Sequence, residues 1–318
     1  MGPRLGALLL AAGMIACYRD QAPPVANTAS SQALAQATAT CPHADDLTDP
    51  PIDPNPGGRL RTHTSGVLSG AGRRTWIGPS VPSYVPPAVG KLELFVLDVA
   101  DGGDLALYRE PYNLDSCQLG NATNCAYEAR FYDGEGHLRW ALRLADVLSR
   151  GDHLEVQDLR LAHGVLYFNE ACQSYAQEAG NQCSSLVAVD PRAKRVLWRT
   201  PPMVSNGRFR VRGCYLVAGY GFTAEPDKLT LVERATGKLI QTVPVSSAPE
   251  QLTMGRRDQL AVQLYSGVTR RYHLDGFDGP NGRLVPLDPP EAVMYGGAGY
   301  GGAAYGGARY GYPTLPRP

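Results

Sequence analysis

The stretch Leu186–Trp198 reads Leu-Val-Ala-Val-Asp-Pro-Arg-Ala-Lys-Arg-Val-Leu-Trp, and the same phrase returns on either side of it. Leu186–Val189 is a short apolar, β-branched run, Asp190-Pro191 starts a turn, and Arg195–Trp198 begins a second strand, so the stretch predicts a tight hairpin. Upstream, Tyr127–Tyr132 leads through Asp133-Gly134-Glu135-Gly136 to Leu138-Arg139-Trp140. The interval from Cys125 to Trp140 equals that from Cys183 to Trp198. Downstream, Leu229–Val232 leads through Glu233-Arg234-Ala235-Thr236-Gly237 to Leu239-Ile240, with Gln241 where the other two units have tryptophan. Repetition at this spacing constrains the fold more than any composition does.

A second strand pair, centred on a glycine turn, precedes each hairpin. Val96–Tyr108 turns at Asp101-Gly102-Gly103, Leu159–Phe168 at His163-Gly164 and Phe209–Ala218 at Arg212-Gly213. A fourth pair, Leu252–Leu264, turns at Gly255–Asp258 and leads to Val268–Leu274. Four strands per unit, at about 45 residues, define a propeller blade. The expectation is an all-β chain, a β-propeller of about four to five blades, with a degenerate blade in Arg59–Gly90 or a small or incomplete ring. Only Trp140–Leu148 carries a helical pattern.

The strand-turn phrase with its terminal tryptophan resembles the repeats of the quinoprotein-like family, the PQQ-type β-propellers, over roughly residues 91–278. The resemblance implies that Trp140 and Trp198 pack between neighbouring blades. Asp133, Asp190 and Gly237 then belong to the structural blade motif, the acids as turn formers that bond their own backbone. Lipid-anchored members of the group include assembly factors that bind protein partners. Enzymes of the group that use pyrroloquinoline quinone with calcium resemble this chain only in blade repeats, and they carry a vicinal Cys-Cys pair that it lacks.

Residues outside the repeats read differently. Arg4, the apolar run Leu5–Ile15 and Ala16-Cys17 have the layout of a secretion signal, too short to span a bilayer. Met14-Ile15-Ala16-Cys17 resembles the bacterial lipoprotein processing box, although leucine is usual at Met14. It makes Cys17 the expected lipidation site and the bacterial envelope, on its periplasmic face or the cell surface, the expected location. The chain then divides into signal and lipidation site (1–17), a Pro/Ala/Ser/Thr-rich linker (18–90), the propeller-like domain (91–284) and a Gly/Tyr-rich tail (285–318). Gly66–Gly78 is a candidate extra strand. Tether and tail bury too little apolar surface to offset their ordering entropy and are expected to be disordered. Tyr295, Tyr300, Tyr305 and Tyr310 recur every five residues in the tail, which opens an adhesive or structural role as an alternative.

Six further cysteines, Cys41, Cys117, Cys125, Cys172, Cys183 and Cys214, are an even number in an exported chain and favour disulfides. Cys117 with Cys125 and Cys172 with Cys183 enclose comparable loops at equivalent blade positions, leaving Cys41 to pair with Cys214. No Cys-x-x-Cys or His-x-x-x-His spacing supports a metal, and Asp45, Asp46, Asp49 and Asp53 lack calcium-loop spacing. The histidines are scattered and no nucleophile elbow occurs. Thirty basic residues balance thirty acidic ones, so nucleic acid is not an expected partner. The combined expectation is a non-catalytic, cofactor-free scaffold, anchored by lipid, that binds an envelope protein; a quinone- and calcium-dependent oxidoreductase is the alternative. Cys17→Ser is expected to move the chain from the membrane pellet to the soluble fraction on cell fractionation. Continued membrane association would remove the anchor.

Overall fold

A computed structural model describes two short strands at residues 66–69 and 75–77, and residues 81–288 except 101, 112–124, 150–153, 174, 223–224 and 256–257. Strands β1 (Gly66–Ser69), β2 (Thr75–Ile77), β3 (Ala88–Val89), β4 (Leu92–Ala100), β5 (Gly103–Arg109), β6 (Tyr127–Asp133) and β7 (Leu138–Arg143) form the first sheet. Strands β8 (Leu154–Glu155), β9 (Leu159–Ala162), β10 (Val165–Cys172), β11 (Ser185–Asp190) and β12 (Arg195–Arg199) form the second. The third is β13 (Phe209–Arg212), β14 (Tyr215–Tyr220), β15 (Lys228–Glu233) and β16 (Leu239–Pro244). The fourth is β17 (Pro249–Met254), β18 (Gln259–Leu264), β19 (Thr269–Asp275) and β20 (Arg283–Pro286). Every pairing is antiparallel, and each sheet contains a four-stranded meander in chain order.

These are propeller blades, four of them among the described residues. Inner strands meet in sequence, β4 with β9, β9 with β13, and β13 with β17. The candidate strand in residues 66–78 is present as β1 and β2, which extend the inner edge of the first blade and build no fifth one. In the stretch that carried a helical pattern, β7 runs to Arg143 and a single 3-10 turn follows at Leu144–Asp146. At the turn joining β9 to β10, His163 and Gly164 both take positive φ, 52° and 74°, the geometry of a tight hairpin that matches strand twist.

Packing between blades follows from strand alternation. In β11, Val187 and Val189 face the first blade with Leu159, Leu161 and Trp140, while Leu186 and Ala188 face the third with Phe209, Leu216 and Val232. Both faces of the second blade are therefore covered, and its central strands β10 and β11 are buried along almost their whole length. A third cluster joins blades three and four through Val217, Leu231, Leu252 and Val262. The outer face of the fourth blade carries Gln251, Thr253, Gln259, Gln263, Arg271 and His273, half-buried or exposed. No apolar cluster among the described residues joins that face to the first blade. The first blade's other face is instead covered by residues 81–89, whose Val85 is buried against Leu97, Ala106 and Tyr108.

Tryptophan Trp198 locks the second blade to the third. Its indole N–H donates to the Arg234 carbonyl at 2.9 Å, and its ring lies 2.5 Å from where a side chain on Gly237 would begin. Gly237 also sits at φ 74°, so only glycine suits both demands. From the third blade, Arg234 reaches back to the Tyr167 hydroxyl and the Ala162 carbonyl, each at 2.9 Å. Gln241, at the tryptophan position of the third unit, joins the next blade by another chemistry. Its amide donates to the Leu284 carbonyl at 3.1 Å and accepts from the Leu284 N–H at 2.8 Å. Nearer the inner strands, the Arg160 guanidinium bridges Asp98 and Asp158 at 3.1 Å each, and Asp158 accepts from the Phe209 N–H at 3.1 Å. Charged side chains thus link the first three blades, in hydrogen-bonded pairs of the kind burial requires. In chemical denaturation, Trp198→Ala is expected to lower the unfolding free energy by about 3–5 kcal/mol. Gln241→Ala, which strands two backbone groups, is expected to cost a smaller ~1–3 kcal/mol.

Candidate functional site

Antiparallel meanders put the loop between second and third strands at one end of every blade, together with the connection to the next blade. That end is where the chain concentrates its rigid irregular structure. In the second blade the loop is stapled: Cys172 and Cys183 form a disulfide with Cα atoms 5.2 Å apart. Closing so short a loop stabilises by roughly 2–3 kcal/mol in the chain-entropy account. Within it, Glu178, Ala179 and Gly180 N–H groups bond the carbonyls three residues back, winding the loop onto itself.

Phe222 and Glu225, from the neighbouring loop of the third blade, grip this staple. Glu225 accepts from the Ala176 N–H and from the Tyr220 hydroxyl, both at 2.6 Å. The Tyr175 and Phe222 rings meet edge to face, with centroids 4.9 Å apart. Asn206, in the connection between the two blades, donates to the Gly221 carbonyl at 3.0 Å and accepts its N–H at 3.1 Å. In the fourth blade the equivalent hairpin is held by bonds from Tyr265 N–H to the Ala248 carbonyl and from Ser266 N–H to the Ser247 hydroxyl. Tyr265 is 75% exposed, the most exposed large hydrophobic residue of the described chain, and Tyr175 is 38% exposed. The arrangement is a row of fixed loops presenting aromatic rings to solvent.

Electrostatics at this end centre on Asp227. Burial, with the nearby Glu225 charge adding to it, pushes its carboxyl up to about 6, and its Oδ1 is buried without a hydrogen-bond partner. That oxygen lies 2.1 Å from where a Gly221 side chain would begin, so glycine is needed there for space. Burial also pulls the neighbouring Lys228 ammonium down, and its Nζ sits 4.8 Å from the Tyr220 ring centroid.

The residues singled out in the sequence fall elsewhere. Asp133 accepts the N–H groups of Glu135 and His137, and Asp190 those of Arg192 and Ala193, all at 2.9–3.0 Å. The His137 and Glu135 bonds hold the Asp133 carboxyl below the usual carboxylate range. Both acids, with Gly237, sit in third-to-fourth-strand turns at the opposite end of the blades. Trp140 is buried between the first two blades, stacked on Phe131 at 5.9 Å. Cys125 and Cys214 are disulfide-bonded. Cys17, Cys41, Cys117, most of the linker and the tail from residue 289 lie outside the described residues. Among the described residues no three His, Cys, Asp or Glu side chains gather at metal-binding distance. A depression of about 270 Å³ lined by Asp258, Leu274, Phe277 and Asn281 lies in the β19–β20 loop, away from the stapled end.

Fold and site define a class, an all-β propeller array with a disulfide-stiffened loop face. No family model and no curated protein matches the chain. Among solved structures it is similar to the computationally designed Ika4 protein, at 11% identity and a TM-score of 0.35, over 56% of this chain and 88% of that one. BamB from Moraxella catarrhalis matches at 10% identity and a TM-score of 0.23, over 59% of this chain and 78% of that one. A chain of the mitotic checkpoint complex matches at 12% identity and a TM-score of 0.32, over 79% and 88%.

Asp227 gives the face a pH signature. A folded-state value raised above the unfolded one means that ionisation opposes folding, so the contribution is intact below about 4 and is lost as pH rises through about 6. Asp227→Asn is therefore expected to raise the melting temperature by a few degrees at pH 7–8 and to leave it unchanged near pH 4, measured by thermal unfolding across that range. An equal gain at both values would contradict the assignment.

Proposed function

We propose that this chain is a cell-envelope lipoprotein of the quinoprotein-like group, whose blades form a non-catalytic scaffold that binds a protein partner through the stapled loop end. The observation that carries this reading is the fixed loop row itself. A disulfide, the Glu225 clamp and the Asn206 bridge hold irregular backbone in one geometry while Tyr175 and Tyr265 remain exposed. Rigid aromatic side chains on preorganised loops are the groups that bind proteins with least entropic cost. Anchoring through Cys17 and a Pro-rich linker would let such a face reach partners at the membrane.

Affinity capture from native envelopes with the full chain as bait tests the proposal. A specific protein should be enriched, and the Tyr175→Ala, Tyr265→Ala double variant should lower its recovery at least ten-fold while still unfolding cooperatively. Truncation of residues 293–318 should leave recovery intact. Undiminished capture by the double variant would place the binding surface elsewhere, and loss on truncation would move it to the tyrosine-rich tail.

A further inference from the structure

Cys214 is buried in the turn that joins β13 to β14, and it is disulfide-bonded. Cys172 and Cys183 are closed on each other, so neither is its partner. Cys125 is disulfide-bonded as well, but these two cannot bond each other. Cys125 precedes β6 at the stapled end of the first blade, whereas the β13–β14 turn lies at the opposite end of the third, and the second blade stands between them. Two sheet spacings of about 10 Å and a strand length of about 20 Å separate the sites, against a limit of about 7 Å between the Cα atoms of a disulfide.

The partner of Cys214 is therefore Cys17, Cys41 or Cys117. Cys117 belongs to the β5–β6 connection, eight residues from Cys125 and eight from Arg109, the last residue of β5. Eight residues span at most about 26–29 Å, so Cys117 could touch the far end of the third blade only with the chain pulled straight on both sides of it. The same eight residues return it to Cys125 with slack. Cys41 has no such constraint, because it lies 25 residues before Gly66, the start of β1, a reach of up to about 80 Å.

We infer that Cys41 closes on Cys214 and seats the linker around it at the turn end of the third blade, so that an anchored chain directs its stapled end away from the membrane. The orientation rests on the lipoprotein reading; the disulfide does not. The turn end has room for an incoming segment. The Cys214 N–H donates to the Phe277 carbonyl at 2.8 Å, which puts the cysteine beside the depression lined by Asp258, Leu274, Phe277 and Asn281. Charge also matches, since Arg192, Lys194 and Lys238 are exposed in neighbouring turns and the linker following Cys41 carries Asp45, Asp46 and Asp49. Only 24 residues then separate the pin from Cys17, a flexible span of about 25–30 Å.

Non-reducing peptide mapping of the full chain tests the disulfide and needs neither anchor nor partner. A Cys41–Cys214 peptide that disappears on reduction is expected, and Cys214 joined to Cys117 or Cys17 would overturn the inference. In Cys41→Ser, the denatured chain should gain one alkylatable thiol, located at Cys214, while Cys172 and Cys183 stay linked; a Cys214 still oxidised in that variant would overturn it as well. For orientation, fluorophores on Tyr265→Cys and on Lys238→Cys are compared in vesicles that hold the lipidated chain and an acceptor lipid. Transfer to the bilayer should be at least two-fold greater from position 238, at the turn end. Equal transfer, or more from position 265, would overturn the orientation. A chain that fails to enter vesicles would defeat the lipoprotein reading and the orientation together, and the mapping result would still decide the disulfide.

Discussion

A blade flanked on both sides in this chain has two apolar faces to hide and can hide neither alone, and the rest of the structure depends on that constraint. Four short antiparallel strands bury little among themselves, so stability comes from stacking sheet against sheet. Strand β11 puts alternate residues into opposite interfaces, which makes the phrase Leu-Val-Ala-Val apolar throughout. Strand β18 belongs to a blade with one neighbour among the described residues, and its Gln-Leu-Ala-Val-Gln-Leu alternates. The difference between a run and an alternation therefore reports whether both faces of a blade are covered: β5 of the first blade, with residues 81–89 on its other face, is buried along almost its whole length.

Stacking alone leaves blades free to slide, and register comes from a few directional contacts at the tryptophan position. Trp198 does this with an indole hydrogen bond and a glycine-floored recess, and Gln241 with a two-point amide grip on backbone. Trp198 and Gln241 thus do the same task with different side chains. In these two units the position holds a group on the outermost strand that reaches backbone of the next blade. Asp158 and Arg160 serve the same end near the inner strands, where a charge must be paired to be tolerated.

Much of this was legible beforehand. The glycine turns located the hairpins to within a residue or two, and the spacing of Cys172 and Cys183 identified their disulfide, because hairpins and short loops are local and leave local marks. Long-range features left none. Gln241 reads as a lost tryptophan until Leu284 is seen beside it. Glu225 looks like a solvated loop acid, since nothing in the chain announces that Ala176 will meet it. Residues 81–89 are proline-rich and read as linker, yet Val85 is buried by a face that no other blade covers. Strand β20 is four residues behind a Gly-Pro-Asn-Gly loop, too short to show a period.

The polar outer face of the fourth blade has a consequence for how such a chain could change in evolution. Repeat arrays grow by duplication, and a copied blade adds stability only where it finds an apolar surface to cover. With Gln251, Gln263, Arg271 and His273 facing outward, a fifth blade appended here would desolvate polar groups and gain little in return. The side chains of this one sheet thus set what can pack on its outer face, and covering it with another blade would require those residues to turn apolar first.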